Sequence, residues 1–559
     1  MWLGIICIVT VLVFKILFDY TRRTKFPPGP QSWPIVGNLF AIKNLVKETK
    51  SYANTWCRLA EKYGSVVGLK LGLNEPLIIV SGKAAVTEML NRSEFDGRPD
   101  GFVFRYRCGG TRQGILFTDT DVWHSQRRFT LRTLKEFGFG KATMESILQQ
   151  DAITLTNIII DLTKDGKEAN IHEFISRAVL SNIWFLIEGT KFDVGTESSK
   201  LKEVLYIFKD LLKNSNTSGG VLNQFPFLRH LFPELTGFTI FKLRQERLYE
   251  FFMVSRVINI LHYYYTIAIL IITNNSLYPS FTYLGILNYT NICSLVTRQT
   301  LPILCLTVMH IFQGEILRHK ASGTEGEGAS FIDVYLEEIK EQKANPAVSS
   351  FNENQLVYVI KDLVAAGVDT TDNTISFVIA FLVVHQDVQM KVHDEIDKNI
   401  DKDTCPSLRD KNRLPYLMAV LAEVSRLANV GPTSIPHRAI VDSTLLGFEI
   451  KRNYTLLANL KSVHMDKEHW GDPEIFRPER FINENGQFVD DSWLVPFGLG
   501  RRKCPGESLA KNTVFLFIAS LFQKLRFILP ANHPEVCLQG VEGFVVAPPE
   551  INVIAIQRH

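Results

Sequence analysis

One ten-residue segment constrains this chain more than any other. Phe497-Gly498-Leu499-Gly500-Arg501-Arg502-Lys503-Cys504-Pro505-Gly506 stands just before an apolar stretch, Leu509 to Phe522, that reads as a helix. A cysteine near a helix N-terminus, beside cationic side chains and backbone N–H groups, sits where the thiolate is favoured, and the thiolate is the form that ligates iron. Gly498, Gly500 and Gly506 allow unusual φ angles and a close backbone approach to a flat macrocycle, with Phe497 in position to pack beneath it. Cys504 alone would fit equally well a helix-capping loop with a buried thiol. The complete pattern points to a haem-thiolate loop.

In that pattern the chain resembles the cytochrome P-450 monooxygenases, a Cys-ligated haem class. Further segments agree with the resemblance, in the family's order. The apolar stretch from Leu356 to Val383 contains Ala366-Gly367-Val368-Asp369-Thr370-Thr371, and Asp372 is the only other acid between Leu363 and Phe377. A helix so apolar is largely buried. Gly367 costs about 1 kcal/mol relative to Ala inside a helix, which implies a close approach to the backbone, with dioxygen and substrate as candidates. A buried Asp369-Thr370 pair could organise waters for proton delivery, the role the resemblance assigns to the family's acid-alcohol pair. The alternative is a polar kink satisfied by its own backbone.

Pro415 opens a helical segment in which Glu423 and Arg426, three residues apart, share a face. Such a pair is ordinarily an exposed ion pair of small worth. Phe476-Arg477-Pro478-Glu479-Arg480-Phe481 follows at the separation of the family's Glu-Arg-Arg network, so the resemblance makes Glu423, Arg426 and Arg480 a structural support for the Cys-loop side of the fold. Two haem propionates call for charge-assisted partners from separate parts of the chain. Trp123 and Arg127 in a W-x-x-x-R pattern, His437 after Ile435-Pro436, and Arg502 match family positions. Each taken alone could be an ordinary surface residue. Arg112 is out of register by about one residue and is not included. The cofactor-binding set is therefore Trp123, Arg127, His437, Phe497, Arg502, Cys504 and Gly506, with Cys504 the metal ligand and Asp369 and Thr370 the catalytic pair.

The stretch Met1 to Tyr20 is apolar apart from Lys15 and Asp19, and Arg22, Arg23 and Lys25 follow it. About 18 apolar residues is the short end of a spanning helix, and Lys15 can snorkel to the basic flank. No positive charge precedes the apolar run and no small-residue cleavage site follows it, so it reads as a membrane anchor rather than a cleaved signal. The flanking charges keep the remainder cytosolic. Residues 21–34 then form a basic, Pro-rich hinge, and 35–559 the haem-thiolate domain. Eight scattered cysteines without pairing or zinc spacing suit a reducing compartment. A net charge of +3, with no basic stripe interleaved with aromatics, argues against nucleic acid. Arg127, Arg128, Arg501, Lys503 and Lys511 could form a positive face that steers an acidic flavoprotein.

One segment is foreign in composition. Residues 254–313 contain no Asp, Glu or Lys and only two arginines, Arg256 and Arg298, between charge-rich neighbours. Removing them lets the resemblance run on smoothly. Val254-Ser255 can be encoded by a splice-donor sequence, and Ile311-Phe312-Gln313 can end in an acceptor. Three readings stand: a retained intron translated in frame, a second membrane-contacting hairpin, or a disordered loop.

The resemblance implies a mostly α fold with a small β-rich region, covering about Pro27 to His559 apart from the insert. It also implies haem b, electrons from NADPH through NADPH-cytochrome reductase, cytochrome b5 as a further partner, membrane lipid contact and the endoplasmic reticulum. The reaction it implies is insertion of one atom of O2 into an apolar small molecule: a sterol, terpenoid, fatty-acid-like compound or xenobiotic. Alternatives are an O2-independent haem-thiolate isomerase, against which the retained Asp369-Thr370 pair argues, a non-catalytic haem sensor or carrier, and an inactive product carrying the insert. The segments 214–228, 102–107 and 433–435 are expected to line the distal pocket.

Overall fold

The computed structural model describes residues 25–243 and 330–558, except 109, 137–141, 190, 193, 195–204, 206–208, 210–219, 343–348 and 534. The anchor expected at 1–20, the start of the hinge at 21–24, the loop at 214–219 and the insert at 254–313 lie outside the described residues.

Along the chain, α1 (Leu39–Thr49) and α2 (Tyr52–Tyr63) precede strands β1 (Val66–Leu69) and β2 (Leu77–Ser81). Helices α3 (Lys83–Asn91), α4 (Phe102–Tyr106), α5 (Thr120–Glu136), α6 (Ala142–Leu162) and α7 (His172–Glu188) follow. After the undescribed region come α8 (Phe331–Gln342), α9 (Glu353–Val384), α10 (Gln386–Asn399) and α11 (Pro415–Ala428). Strands β3 (His437–Arg438), β4 (Ser443–Leu445), β5 (Phe448–Ile450) and β6 (Thr455–Asn459) lead to α12 (Glu507–Lys524) and short C-terminal strand pairs. The chain is mostly helical with small sheets.

Helix ends follow local chemistry. The Asn352 side chain accepts from Gln355 N and starts α9; Pro415, whose missing N–H costs nothing in a first turn, starts α11. Asn429, at φ 47°, ends α11 in the left-handed conformation that Asn tolerates. α9 is long and apolar enough to cross a bilayer, yet most of it is buried within the protein. It is the central helix, packed against α7, α11 and α12, and its Leu356–Ile360 and Ile375–Val383 runs lie in the largest core. α12 contributes Phe515, Phe517 and Phe522, all fully buried, to that core.

The main sheet has the order β1-β2-β6-β3. β2 and β6 run parallel, Leu77 opposite Thr455, so the start and the end of the fold close on each other. β3 pairs antiparallel with β6, His437 opposite Leu456, which sets His437 on the sheet edge facing the segment after α3.

Candidate functional site

The Cys loop is a tight backbone structure. Cys504 N donates to Phe497 O at 2.9 Å, and Gly498 N to Val495 O at 3.0 Å. Gly498 and Gly500 both take φ of 70°, the left-handed region, and a Cβ on Gly500 would fall 1.8 Å from Leu90 O. Glycine is required there. Gly506 departs from expectation: its φ is −90°, and it serves as the N-cap of α12 rather than as a left-handed hinge. Phe497 is half-buried, with Lys511 Nζ 5.5 Å from its ring centre.

The Cys504 side chain is surface-accessible. Burial pushes its thiol up in pKa, and the Gly506 N–H with the Arg127 and Lys503 charges pulls the other way. In the free thiol, burial thus opposes the helix N-terminus, the cations and the N–H groups that favour the thiolate. Coordination to a metal would supply the missing driving force. Lys503 and Lys511 both grip Glu507, at 2.6 and 2.9 Å, so the positive face carries an acid at its centre.

Beside the loop, cationic side chains from distant segments converge. Arg502 lies over the buried Trp123, its guanidinium carbon 3.6 Å from the ring centre. Its Nε and Nη2 donate to Asp96 O, and Nη2 also to Thr118 O; Nη1 is buried with no acceptor. Arg127 stacks on the same indole at 5.7 Å and donates to Lys503 O. His437 is buried, with Nδ1 2.7 Å from Phe95 O, and burial holds its pKa well below the usual range. Arg98 completes the group. It is 4% exposed and donates to Leu116 O, Ile435 O and Pro436 O, directly beside His437.

Helix α9 presents its candidate residues differently. Ala366 is exposed, and Leu363, Gly367, Thr370 and Thr374 are half-buried, in a helix whose remaining residues are almost all buried. These spacings of three and four put the five on one open face. Thr370 Oγ1 donates back to Ala366 O at 2.8 Å, so its hydroxyl is satisfied by its own helix while its lone pairs face outward. Asp369 is buried, with Oδ1 unpartnered; burial, and then the charge of Asp372, pushes its carboxyl up toward neutrality. At Gly367 a Cβ would fall 2.6 Å from Ile183 Cδ1, so a side-chain tip of α7 is what approaches this backbone closely.

Glu423, Arg426 and Arg480 meet as a closed network. Arg426 binds Glu423 through two bonds of 2.8 Å, and Arg480 Nε reaches Glu423 Oε1 at 3.0 Å. The remaining guanidinium donors go to carbonyls of His464, Pro473, Trp470, Asp472 and Ile475. His464 carries the network to the Cys loop. Its Nε2 accepts from Val495 N at 3.0 Å, which fixes the proton on Nδ1, facing Asn429 Oδ1 at 3.1 Å.

The Cytochrome P450 family model matches residues 27–252 and 286–555. The chain belongs to the cytochrome P450 family. It is 31% identical over 553 residues to farnesoate epoxidase of Bombyx mori, covering 99% of this chain and 98% of that protein. It is 30% identical to "Probable cytochrome P450 305a1" of Drosophila melanogaster, over 98% of this chain and 97% of that one. Cytochrome P450 2D14 of Bos taurus is 29% identical over 98% of this chain and 97% of its own length. The P450 is thus an oxidoreductase of the monooxygenase class, and family membership implies a haem.

The residues of this P450 fit that group. Arg98, Arg127 and Arg502 crowd together, and burial pushes the guanidinium pKa of Arg502 down to about 8 and of Arg98 to about 9, each lowered further by another cation of the cluster. Buried positive charge in excess of its acids, with a donor left unpaired, is the environment that carboxylates would relieve. Arg98 escaped the sequence reading, although Arg98-Pro99 follows the Phe95-Asp96-Gly97 turn. Its partners Ile435 and Pro436 are over 330 residues away. Arg112, left out by register, pairs with Asp119 at 3.0 Å and buttresses Arg98 O.

The Asp362 carboxylate was also missed. It accepts from Arg107 Nη2 at 2.7 Å and from Ile115 N and Leu116 N, strapping the segment after α4 to α9. Because Thr118 O of the same segment accepts from Arg502, the strap wires α9 to the Cys loop. A cavity of about 50 Å³ lies among Trp56, Leu71, Leu77, Pro99, Phe104 and Pro436, with Asn223 and Gln224 at its edge. Neither Cys504 nor Thr370 lines it.

Proposed function

We propose that this P450 binds haem b through Cys504 and inserts one atom of O2 into an apolar small molecule at a membrane, with electrons from NADPH through a flavoprotein reductase. The observation that carries the reading is the convergence of Arg98, Arg127, Arg502, Trp123 and His437 beside the Cys504 loop, with Arg502 Nη1 left without a partner. When bound, a thiolate-ligated haem supplies the oxygen-activating chemistry. The chain's residues do the rest. Arg98, Arg127, Arg502 and His437 would hold the propionates, Trp123 fixes the two guanidinium planes, and Gly500 keeps the loop in the shape that presents Sγ. Thr370 orients waters on the open face of α9, and Asp369 holds a proton in reserve. Glu423, Arg426 and Arg480 brace the loop from behind through His464. A reductase, or cytochrome b5, would dock on the Arg127, Arg128, Arg501 and Lys503 side, with Glu507 tempering the charge.

Endoplasmic reticulum association through the 1–20 segment is part of the proposal. Support comes from one exposed apolar face: Trp33, Ile35, Phe40, Leu73, Phe227, Leu231, Phe232 and Leu235 are all more than half exposed. Contacts join its parts, since Gly37 bridges Leu71, Asn74 Nδ2 donates to Asn223 O and Gly72 packs on Phe225. Such a face suits a bilayer surface. For substrate, a terpenoid is favoured, because the Bombyx relative is named for farnesoate. Residues 254–313 are proposed as an interruption of the enzyme domain; the break in the family match at 253–285 supports an insert there. Transcripts spanning codons 253 to 314 decide whether it is a retained intron, which a predominant message including the segment would exclude.

The test is the carbon-monoxide difference spectrum of the reduced full-length chain in membranes. A strongly red-shifted Soret band, lost in Cys504→Ala, is expected, followed by NADPH- and reductase-dependent oxygenation of farnesoate. No such band, with or without residues 254–313, would overturn the reading.

A further inference from the structure

Behind the open face of α9 lies a second acid. Asp372 is one turn beyond Asp369, on the same side of the helix and completely buried. Its Oδ2 is shared by three groups: Ser176 Oγ donates to it, Lys209 Nζ lies 3.2 Å away and His172 Nε2 3.4 Å away. Lys209 Nζ also donates to Ser176 Oγ at 2.6 Å. Burial falls off outward in steps. The Asp372 side chain is 0% exposed, His172 24% and Lys209 33%, so water reaches the outer pair but not the acid. Oδ1 of Asp372 and Oδ1 of Asp369 are each buried without a hydrogen-bond partner. Unpaired buried oxygens are costly, and two acids one turn apart relieve that cost when one carries a proton.

We propose that His172, Ser176, Lys209 and Asp372 form a proton-supply cluster for Asp369, with Asp372 as its positioning residue and His172 and Lys209 as its solvent-facing edge. The inference rests on the monooxygenase reading and deepens it: each turnover that releases water consumes protons, and Asp369 must be recharged from a side that does not open onto the substrate. In the relay, a proton bound by His172 or Lys209 from water moves to Asp372 Oδ2, directly or through the Ser176 hydroxyl, as the donor's own N–H bond breaks. Rotation of the protonated carboxyl turns that same O–H toward the Asp369 carboxylate, which takes the proton as the Asp372 O–H bond breaks, and Asp372 returns to its ionised form.

Electrostatics agree with this division. The two carboxyls are pushed apart: Asp369 upward, first by burial and then by the Asp372 charge, and Asp372 downward because the bonds to His172 and Ser176 and the Lys209 charge overcome its burial. Among the described residues, the charged and titratable groups facing the pair are His172 of α7 and Lys209, alongside the two acids themselves.

The experiment is an infrared titration of the carbon-monoxide-bound holoenzyme between about pH 5 and 9, following the C=O band of a protonated carboxylic acid. A band absent in Asp369→Asn is expected. Its midpoint should fall by about one pH unit, tenfold in proton concentration, in Asp372→Asn, and rise in Lys209→Met, which keeps Asp372 in place. Opposite shifts are something a merely structural defect would not give. In the double variant His172→Phe/Lys209→Met, hydrogen–deuterium exchange of the band should slow at least several-fold. An unshifted midpoint in both single variants, or an unchanged exchange rate in the double one, overturns the cluster. Loss of the carbon-monoxide spectrum in the unaltered chain would overturn the monooxygenase reading instead.

Discussion

Two buried charge clusters in this protein are built on opposite rules. Around Glu423, every charge has its counterpart: Arg426 and Arg480 are paired to the acid, and their other donors end on carbonyls. Around Arg502 the balance is left open, with Arg98, Arg127 and Arg502 together and one guanidinium nitrogen unpartnered. A closed network is as complete as it will ever be. An open one holds desolvated charge that a further anion would satisfy, which is why the closed network is proposed as a brace and the open one as the haem site.

The contrast can be broken most forcefully at Arg426. Arg426→Ala removes both bonds of the closer cation, leaves Arg480 as the one guanidinium on the buried Glu423, and should cost about 3–5 kcal/mol, measured as loss of folded, haem-loaded protein. Arg502→Leu should behave in the opposite sense. Removing one of several crowded cations is expected to leave the haem-free protein as stable as before, by denaturant titration. Haem retention should weaken by about 10- to 100-fold, the worth of one charge-assisted contact. Equal loss of stability in the two variants would erase the distinction.

A pH test sharpens the comparison further. Burial pushes His464 down to about 3 in pKa, so the folded state keeps it neutral while the unfolded chain, near 6.5, takes a proton. Its contribution is fully present above about pH 6.5 and is lost as pH falls toward 3; by pH 5 the loss is about 2 kcal/mol. Unfolding of the His464→Gln variant, compared with the unaltered protein across that window, should lack this slope. The smallest effect is expected at Thr370. Thr370→Val loses one back-bond to Ala366 O and should change stability by less than about 1 kcal/mol, while product formed per NADPH falls and peroxide release rises.

What could be read from the sequence divides along the same line. The Cys loop and the Glu423–Arg426 pair were legible because their parts are neighbours in the chain, and the apolar run of α9 announced a buried helix. Asp369 and Thr370 stood out for the same reason. Arg98, His464 and Asp362 were not legible, since each gains its meaning from carbonyls or amides on other segments that spacing alone does not bring near. Gly367 was legible as a place of close approach, but not the identity of its neighbour, Ile183 of another helix. Gly506 likewise follows the Gly-rich pattern yet acts as a helix cap.

The parallel pairing of β2 with β6 bears on how the chain is made. Gly82 N, at the end of β2, donates to Ser462 Oγ, 380 residues later. At about 5–20 residues per second, a ribosome needs roughly 20 to 80 seconds to deliver the partner of a strand already synthesised. Throughout that interval Leu77–Ser81, every residue of which ends buried, has no neighbour from the later half of the chain. The nascent protein must therefore be shielded for most of its synthesis, and any added length between β2 and β6 extends the wait in proportion.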